Sequence, residues 1–151
     1  MAFDDHVNFG YSLVAVAPAP AASGTSLEVV AGTGVLFPVA PFNCTVWPSA
    51  TSPSASTAEI IRVTNKVGDV FTIIRAQEST AARTIVIGDQ IANTATDKVF
   101  TDIENAITGL TPIFGVIDPN GAVAGSIGQF YKDTNTGLLY INSDGTNTGW
   151  I

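Results

Sequence analysis

The segment Glu59-Ile60-Ile61-Arg62-Val63-Thr64-Asn65, then Lys66-Val67-Gly68-Asp69, then Val70-Phe71-Thr72-Ile73-Ile74-Arg75 carries the clearest structural signal in the chain. Apolar and polar residues partly alternate on both arms, and β-branched residues are frequent in each. A period of two puts alternate side chains on opposite faces of a strand. The four residues between the arms supply a turn, so the stretch predicts a β-hairpin. Arg83-Thr84-Ile85-Val86-Ile87, ending at Gly88-Asp89, predicts a further strand.

Working outward, residues 25–58 predict short strands. Thr25–Val30 is rich in strand formers, Gly32 and Gly34 bracket a turn before Val35-Leu36-Phe37, and Thr45-Val46-Trp47 comes next. Pro38, Pro41 and Pro48 break the run, and Ser49–Thr57 is loop material. On the other side, the spacing of Val99, Phe100, Ile103 and Ile107, with Leu110 after them, predicts one short helix over about 97–107. Thr96 is the expected N-cap, Asp97 favours the positive helix end, and Gly109 is the expected C-cap. So short a helix requires a surface to dock on.

Residues 111–124 read as a linker containing Gly and Pro, and residues 125–151 as a C-terminal β-hairpin module. There Gln129–Lys132 and Leu138–Ile141 flank the turn Asp133-Thr134-Asn135-Thr136-Gly137, and the chain closes on Trp150. Residues 1–24 read as an extended N-terminal arm, with a short strand at Ser12–Val16 and prolines that keep residues 17–22 extended. Leu13, Val14, Val16, Pro18 and Pro20 are its candidate docking residues. The expected fold class is mainly β. A β-sandwich or jelly-roll-like body over 25–110 carries the one short α-helix, and a small C-terminal β-hairpin piece completes the chain.

Composition narrows the function. The 151 residues include 13% charged and 46% hydrophobic side chains, with a net charge of -7. Only six residues are basic, and the first is Arg62. Neither nucleic acid nor an anionic membrane surface is expected as a partner, because both need basic patches to displace counterions. The start of the chain carries Asp4 and Asp5 and no Lys or Arg, and Pro18 and Pro20 interrupt its apolar stretch. It is therefore not expected to be a signal peptide, and the protein is expected to be made in a cytoplasm.

Chemistry-bearing residues are few. His6 stands beside Asp4 and Asp5, with no nucleophile near it in sequence, and reads as part of a solvated terminus. Cys44 is the single cysteine, lies among apolar neighbours, and reads as a small core residue. Asp133–Gly137 opens like a calcium loop, but its Gly is fifth rather than sixth and no Glu comes after Glu104, so it reads as a plain turn. Gly32-Thr33-Gly34 lacks the Lys of a phosphate loop. No catalytic, cofactor-binding or metal-ligating residues are assigned, and the protein is not expected to be an enzyme. Tyr131, Tyr140 and Trp150 are the candidate partner or glycan contacts, as a stacking platform or, alternatively, a small apolar core.

Two stretches resemble known proteins. The first runs from Gly24-Thr25-Ser26-Leu27-Glu28-Val29-Val30-Ala31-Gly32-Thr33-Gly34 through Phe37-Pro38 and Pro41-Phe42 into Ala58–Thr64. It continues with Gly68-Asp69 and Phe71–Glu78. This series resembles a β-rich module of tailed-bacteriophage virion proteins, found in tail-fibre N-termini and in small stand-alone virion proteins. Ser79 stands where that pattern usually has Gly. The second, Gly125–Thr134 through Leu139-Tyr140-Ile141 to Gly149-Trp150, resembles a small repeat of phage fibre and collar proteins.

The resemblance implies a homotrimeric virion structural protein on the outer surface of the particle, made in the host cytoplasm. Its implied partners are copies of itself and the major capsid protein or other virion proteins, with a host-surface glycan as a further candidate. The short chain, ending at Ile151, favours a capsid decoration or cement protein. The alternatives are a tail, neck or fibre adaptor, or a carbohydrate- or receptor-binding module.

Overall fold

A computed structural model describes residues 3–110 and 112–151. The expected hairpin is its centre. Strands β4 (Glu59–Val67) and β5 (Val70–Gln77) pair antiparallel, with Val67 opposite Val70 and only Gly68 and Asp69 between them. Gly68 has φ +59°, a conformation that suits glycine in so tight a turn. The alternation sorts as expected: Glu59, Ile61 and Val63 of β4 and Phe71 and Ile73 of β5 are buried.

Four more strands complete the sheet: β1 (Tyr11–Val16), β2 (Ser26–Val29), β3 (Phe42–Trp47) and β6 (Gln90–Ala92). Their order is β1-β2-β5-β4-β3-β6, every pair is antiparallel, and β6 returns to β1 to close a barrel. The expected sandwich is thus corrected to a closed six-strand barrel. The reason is β6: three residues long, it pairs with β3 on one side and β1 on the other. Register shifts in β1–β2 and β4–β5 bend these strands as closure requires.

The barrel interior holds Val14, Leu27, Val29, Phe42, Cys44, Val46, Ile61, Val63, Phe71, Ile73 and Ile91, with Phe37 and Ile85 added from loops. Phe37, Phe42 and Phe71 meet at ring distances of 5.1–6.2 Å. Cys44 lies in this core, and burial pushes its thiol well above the usual range.

Two further expectations change. The expected arm is not free, because residues 11–16 are β1. Val14 is a core residue and Pro18 is buried, while Leu13, Val16 and Pro20 lie exposed. After β1 the chain turns rather than extending, with the Pro20 carbonyl accepting from the Ser23 and Gly24 amides. The strand expected at Arg83–Ile87 does not form. The Arg83 amide donates to Glu59, Ile85 to the Ala21 carbonyl and Val86 to Asp89, so none joins a ladder.

Helix α1 spans Asp97–Leu110, running past the expected C-cap Gly109. Thr96 does not cap it, since its Oγ1 is buried without a hydrogen-bond partner. Glu78 takes that role, accepting from the Lys98 amide at 3.0 Å.

The chain divides into two compact units, one ending at Val99 and the other spanning Phe100–Ile151. The division falls inside α1, not in the expected linker. In the second unit β7 (Ile113–Gly115), from that linker, pairs parallel with β8 (Phe130–Asp133), and β8 pairs antiparallel with β9 (Leu139–Ile141). The expected C-terminal hairpin is β8–β9, with Gly137 at φ +77° before β9. Among the described residues no helix is long and apolar enough to cross a membrane.

Candidate docking surface at the hairpin end of the barrel

The β4–β5 turn and the 32–37 loop are stapled together. The Asp69 carboxylate accepts from the Gly32 amide at 2.9 Å and the Gly34 amide at 2.8 Å. These two amides hold the Asp69 carboxyl below the usual carboxylate range. Thus the Gly32 and Gly34 amides of a stretch read in sequence as no phosphate loop hold an anion of the protein's own. Lys66 Nζ donates to the carbonyls of Gly34 and Phe37 at 2.9 and 2.7 Å. A Cβ on Gly34 would collide with the Gly68 carbonyl, so the two loops touch backbone to backbone.

These contacts decide what the barrel end presents. Its two hairpin charges, Lys66 and Asp69, both bond loop backbone, while Val35, Leu36, Val39 and Val67 are exposed. The segment before β1 adds to the same face. A Cβ on Gly10 would stand 3.0 Å from Val7 Cγ2 and 3.1 Å from the Leu36 carbonyl oxygen, which sets the 7–10 turn against the 34–37 loop. At that turn Phe9 is 95% exposed and has φ +60°. A bulky aromatic in the left-handed region is a true outlier, and such strain concentrates at functional sites. Phe9 joins Val35, Leu36, Val39 and Val67 as exposed apolar side chains at this end of the barrel, and such grouped exposure is what marks an interaction site.

The turn is held from behind by a polar cluster. Asp4 makes a two-pronged ion pair with Arg62 of β4, through Nη1 and through Nη2 at 2.7 Å. Arg62 Nη1 also reaches Asn43 Oδ1 at 3.0 Å, and Asn43 donates to Glu78 at 2.5 Å. The Arg62 hydrogen bonds lower the Asp4 pKa despite partial burial, with the charges of Arg62, Lys98 and His6 assisting. Residues 3–10 are therefore fixed to the barrel wall on one side and enter β1 on the other. His6 and Asp5 lie exposed between these anchors.

The residues singled out in sequence fall elsewhere. Tyr131 and Trp150 are 1% and 3% exposed, their rings 5.8 Å apart, and Tyr140 packs edge-on against Tyr131. Tyr131 and Trp150 form the interior of the second unit with Tyr140 half-buried against them, the small apolar core that the sequence offered as the alternative to a stacking platform. The Asp133 carboxylate accepts from Thr136 Oγ1 at 2.7 Å and from the Asn135 and Thr136 amides, which lowers its pKa and makes the loop an Asx turn. Among the described residues no group of three or more His, Cys, Asp or Glu converges as a metal site would require. A shallow recess of about 240 Å³, lined by Thr45, Ser54, Ala58, Ile60 and Thr80, lies on the side of the barrel.

Sequence reasoning missed Phe9, Val35 and Val39. The available signal was Asn8-Phe9-Gly10, where a large aromatic occupies a turn dipeptide setting that small polar residues usually fill. What the surface can do is bind: burying one Phe side chain contributes about 1.5–3 kcal/mol. No known protein family matches the chain, and no curated protein is found similar to it.

Proposed function

We propose that this chain is a non-enzymatic structural protein of a bacteriophage particle, worn on its outer surface, and that the hairpin end of the barrel docks it onto a neighbouring virion protein. The observation that carries the docking role is Phe9, exposed and held in a strained turn by anchors on both sides. The phage setting rests on the sequence resemblance of residues 24–78 and 125–150. Capsid decoration is the first reading, with the major capsid protein as the partner. Since residues 11–16 belong to the barrel, attachment falls to the barrel end instead of a free arm.

A second reading, an adaptor in tail, neck or fibre, draws on the division into two compact units within one short chain. The experiment is re-attachment to particles that lack this chain, with immunogold imaging as the readout of position. Wild-type protein is expected to saturate the particles, and Phe9→Ala to bind at least tenfold more weakly with an unchanged melting temperature. Gold over the head supports decoration, and gold at the tail or neck supports the adaptor. Equal binding by Phe9→Ala and wild type removes the barrel end as the docking face, and particles that take up neither protein remove the virion role.

A further inference from the structure

The sequence holds one Asn-Gly pair, Asn120-Gly121, in a turn that Ala122 and Val123 close by donating to the Pro119 carbonyl. Both residues of the pair are exposed to water. An Asn followed by Gly carries its own nucleophile. The Gly amide nitrogen is held near the Asn side-chain carbonyl by the chain itself, and no Cβ hinders its approach. Here the fold claims both reacting groups. The Gly121 amide donates to the Asn147 carbonyl at 2.6 Å, and Asn120 Oδ1 accepts from the Trp150 amide at 3.2 Å. Asn147 Nδ2 reaches the Gly121 carbonyl at 3.4 Å, and Trp150 Nε1 the Val123 carbonyl at 2.8 Å. A Cβ on Gly125 would strike the Trp150 ring, so this loop packs directly on the chain's closing aromatic.

We propose that Asn120 is a site of spontaneous deamidation, gated by the closure of residues 147–150 over it, and that the isoaspartate product makes opening of the second unit irreversible. While the closed hydrogen bonds stand, the Gly121 nitrogen keeps its proton on Asn147 and the Asn120 amide is held toward Trp150. When residues 147–150 lift away, the Gly121 amide gives its proton to hydroxide and its nitrogen bonds Asn120 Cγ. The Cγ–Nδ2 bond breaks, and Nδ2 takes a proton from water and leaves as ammonia. Water then opens the cyclic imide at either carbonyl, giving aspartate or isoaspartate, with no oxidant or reductant required. In isoaspartate the main chain runs through Cγ and is longer by one methylene carbon. The Trp150 amide loses its acceptor, and Gly121 loses its register with Asn147. Chemistry that proceeds only from an open form tracks how often that form is populated.

The test uses the full chain at mildly alkaline pH, with Asn120 followed by peptide mass spectrometry. Asn147, which precedes Thr148 instead of Gly, is the internal reference. Asn120 is expected to react fastest in urea and at least tenfold more slowly in folded wild type. Trp150→Ala in buffer is expected to approach the urea rate while β4 and β5 keep their slow hydrogen exchange. After removal of urea, chains carrying isoaspartate are expected to exchange fast over residues 139–151, and unmodified chains to recover protection there. Folded wild type reacting as fast as in urea, Trp150→Ala reacting no faster than folded wild type, or Asn147 reacting as fast as Asn120 in urea overturns the gated site. Isoaspartate chains that recover full protection overturn the irreversibility. None of these readouts involves a particle, so the inference stands or falls apart from the virion role.

Discussion

The Glu59 carboxylate, wholly buried on β4, receives Arg75 Nε at 2.8 Å and Arg75 Nη2 at 2.6 Å from the neighbouring strand β5. The Ala76 amide at 2.8 Å and the Arg83 amide at 3.0 Å complete its shell. Arg75 in turn donates to the carbonyls of Ala21, Gly24 and Arg83. One ion pair thus ties two strands to two irregular loops at the end of β4 away from the hairpin turn. Replacing Glu59 by Gln leaves the guanidinium buried and without its counter-charge. A loss of about 3–5 kcal/mol is expected in denaturant unfolding. A Glu59→Gln protein as stable as wild type would show that the pair contributes little.

Acid should undo the same contacts. Burial raises the Glu59 pKa, but the Arg75 hydrogen bonds, the Arg83 and Ala76 amides and the Arg75 charge outweigh it and hold the group below the ordinary range. Asp4, through Arg62, and Asp69, through the Gly32 and Gly34 amides, shift the same way. Because these native pKa values are lowered, the unfolded chain takes up protons first as the pH falls. Their contribution is full above the ordinary carboxylate range, about pH 4–4.5, and drains away as the pH drops through the lowered native values. The barrel's melting temperature is expected to stay flat from about pH 8 to about 5 and to fall below about 4. Steady loss beginning at neutral pH would contradict this.

Backbone strain gives a third test. Ser79 has φ +62° and Phe9 has φ +60°, values that glycine adopts freely. Ser79→Gly is expected to raise stability by a few tenths of a kcal/mol to about 1 kcal/mol. Phe9→Gly should also melt no lower than wild type while losing attachment. Stability and binding moving in opposite directions at residue 9 is the signature of strain kept for function.

In the second unit Trp150 closes the core, its Nε1 donating to the Val123 carbonyl at 2.8 Å. Trp150→Ala is expected to cost about 3–5 kcal/mol. Hydrogen exchange should then become fast over residues 112–151 and stay slow in β4 and β5. Uniformly faster exchange along the whole chain would show that the two units unfold together.

Local pattern explains what was legible in advance. The β4–β5 hairpin, α1 and the β8–β9 hairpin each join residues close in sequence, so alternation, helical spacing and turn residues suffice to find them. Closure of the barrel rests on Tyr11 meeting Ala92 and Leu13 meeting Gln90, pairs far apart in the chain, through a strand of three residues. No window of sequence contains that information. Arg83–Ile87 has the composition of a strand, but Glu59, Ala21 and Asp89 claim its amides, and this competition is visible only in three dimensions. The proposed docking surface was hidden for a related reason. Phe9 lies in what reads as a loose terminus, and the Asp4–Arg62 pair that fixes it spans 58 residues.

The closed barrel has a consequence for crowding. A coat protein, the role proposed for this chain, is made in many copies, and the barrel carries apolar side chains on its surface. With its six strands paired all the way round, the barrel leaves no ladder of bare amides and carbonyls for a neighbour to extend. Contact between two barrels is therefore confined to side chains, and strand-to-strand extension is closed off at the barrel.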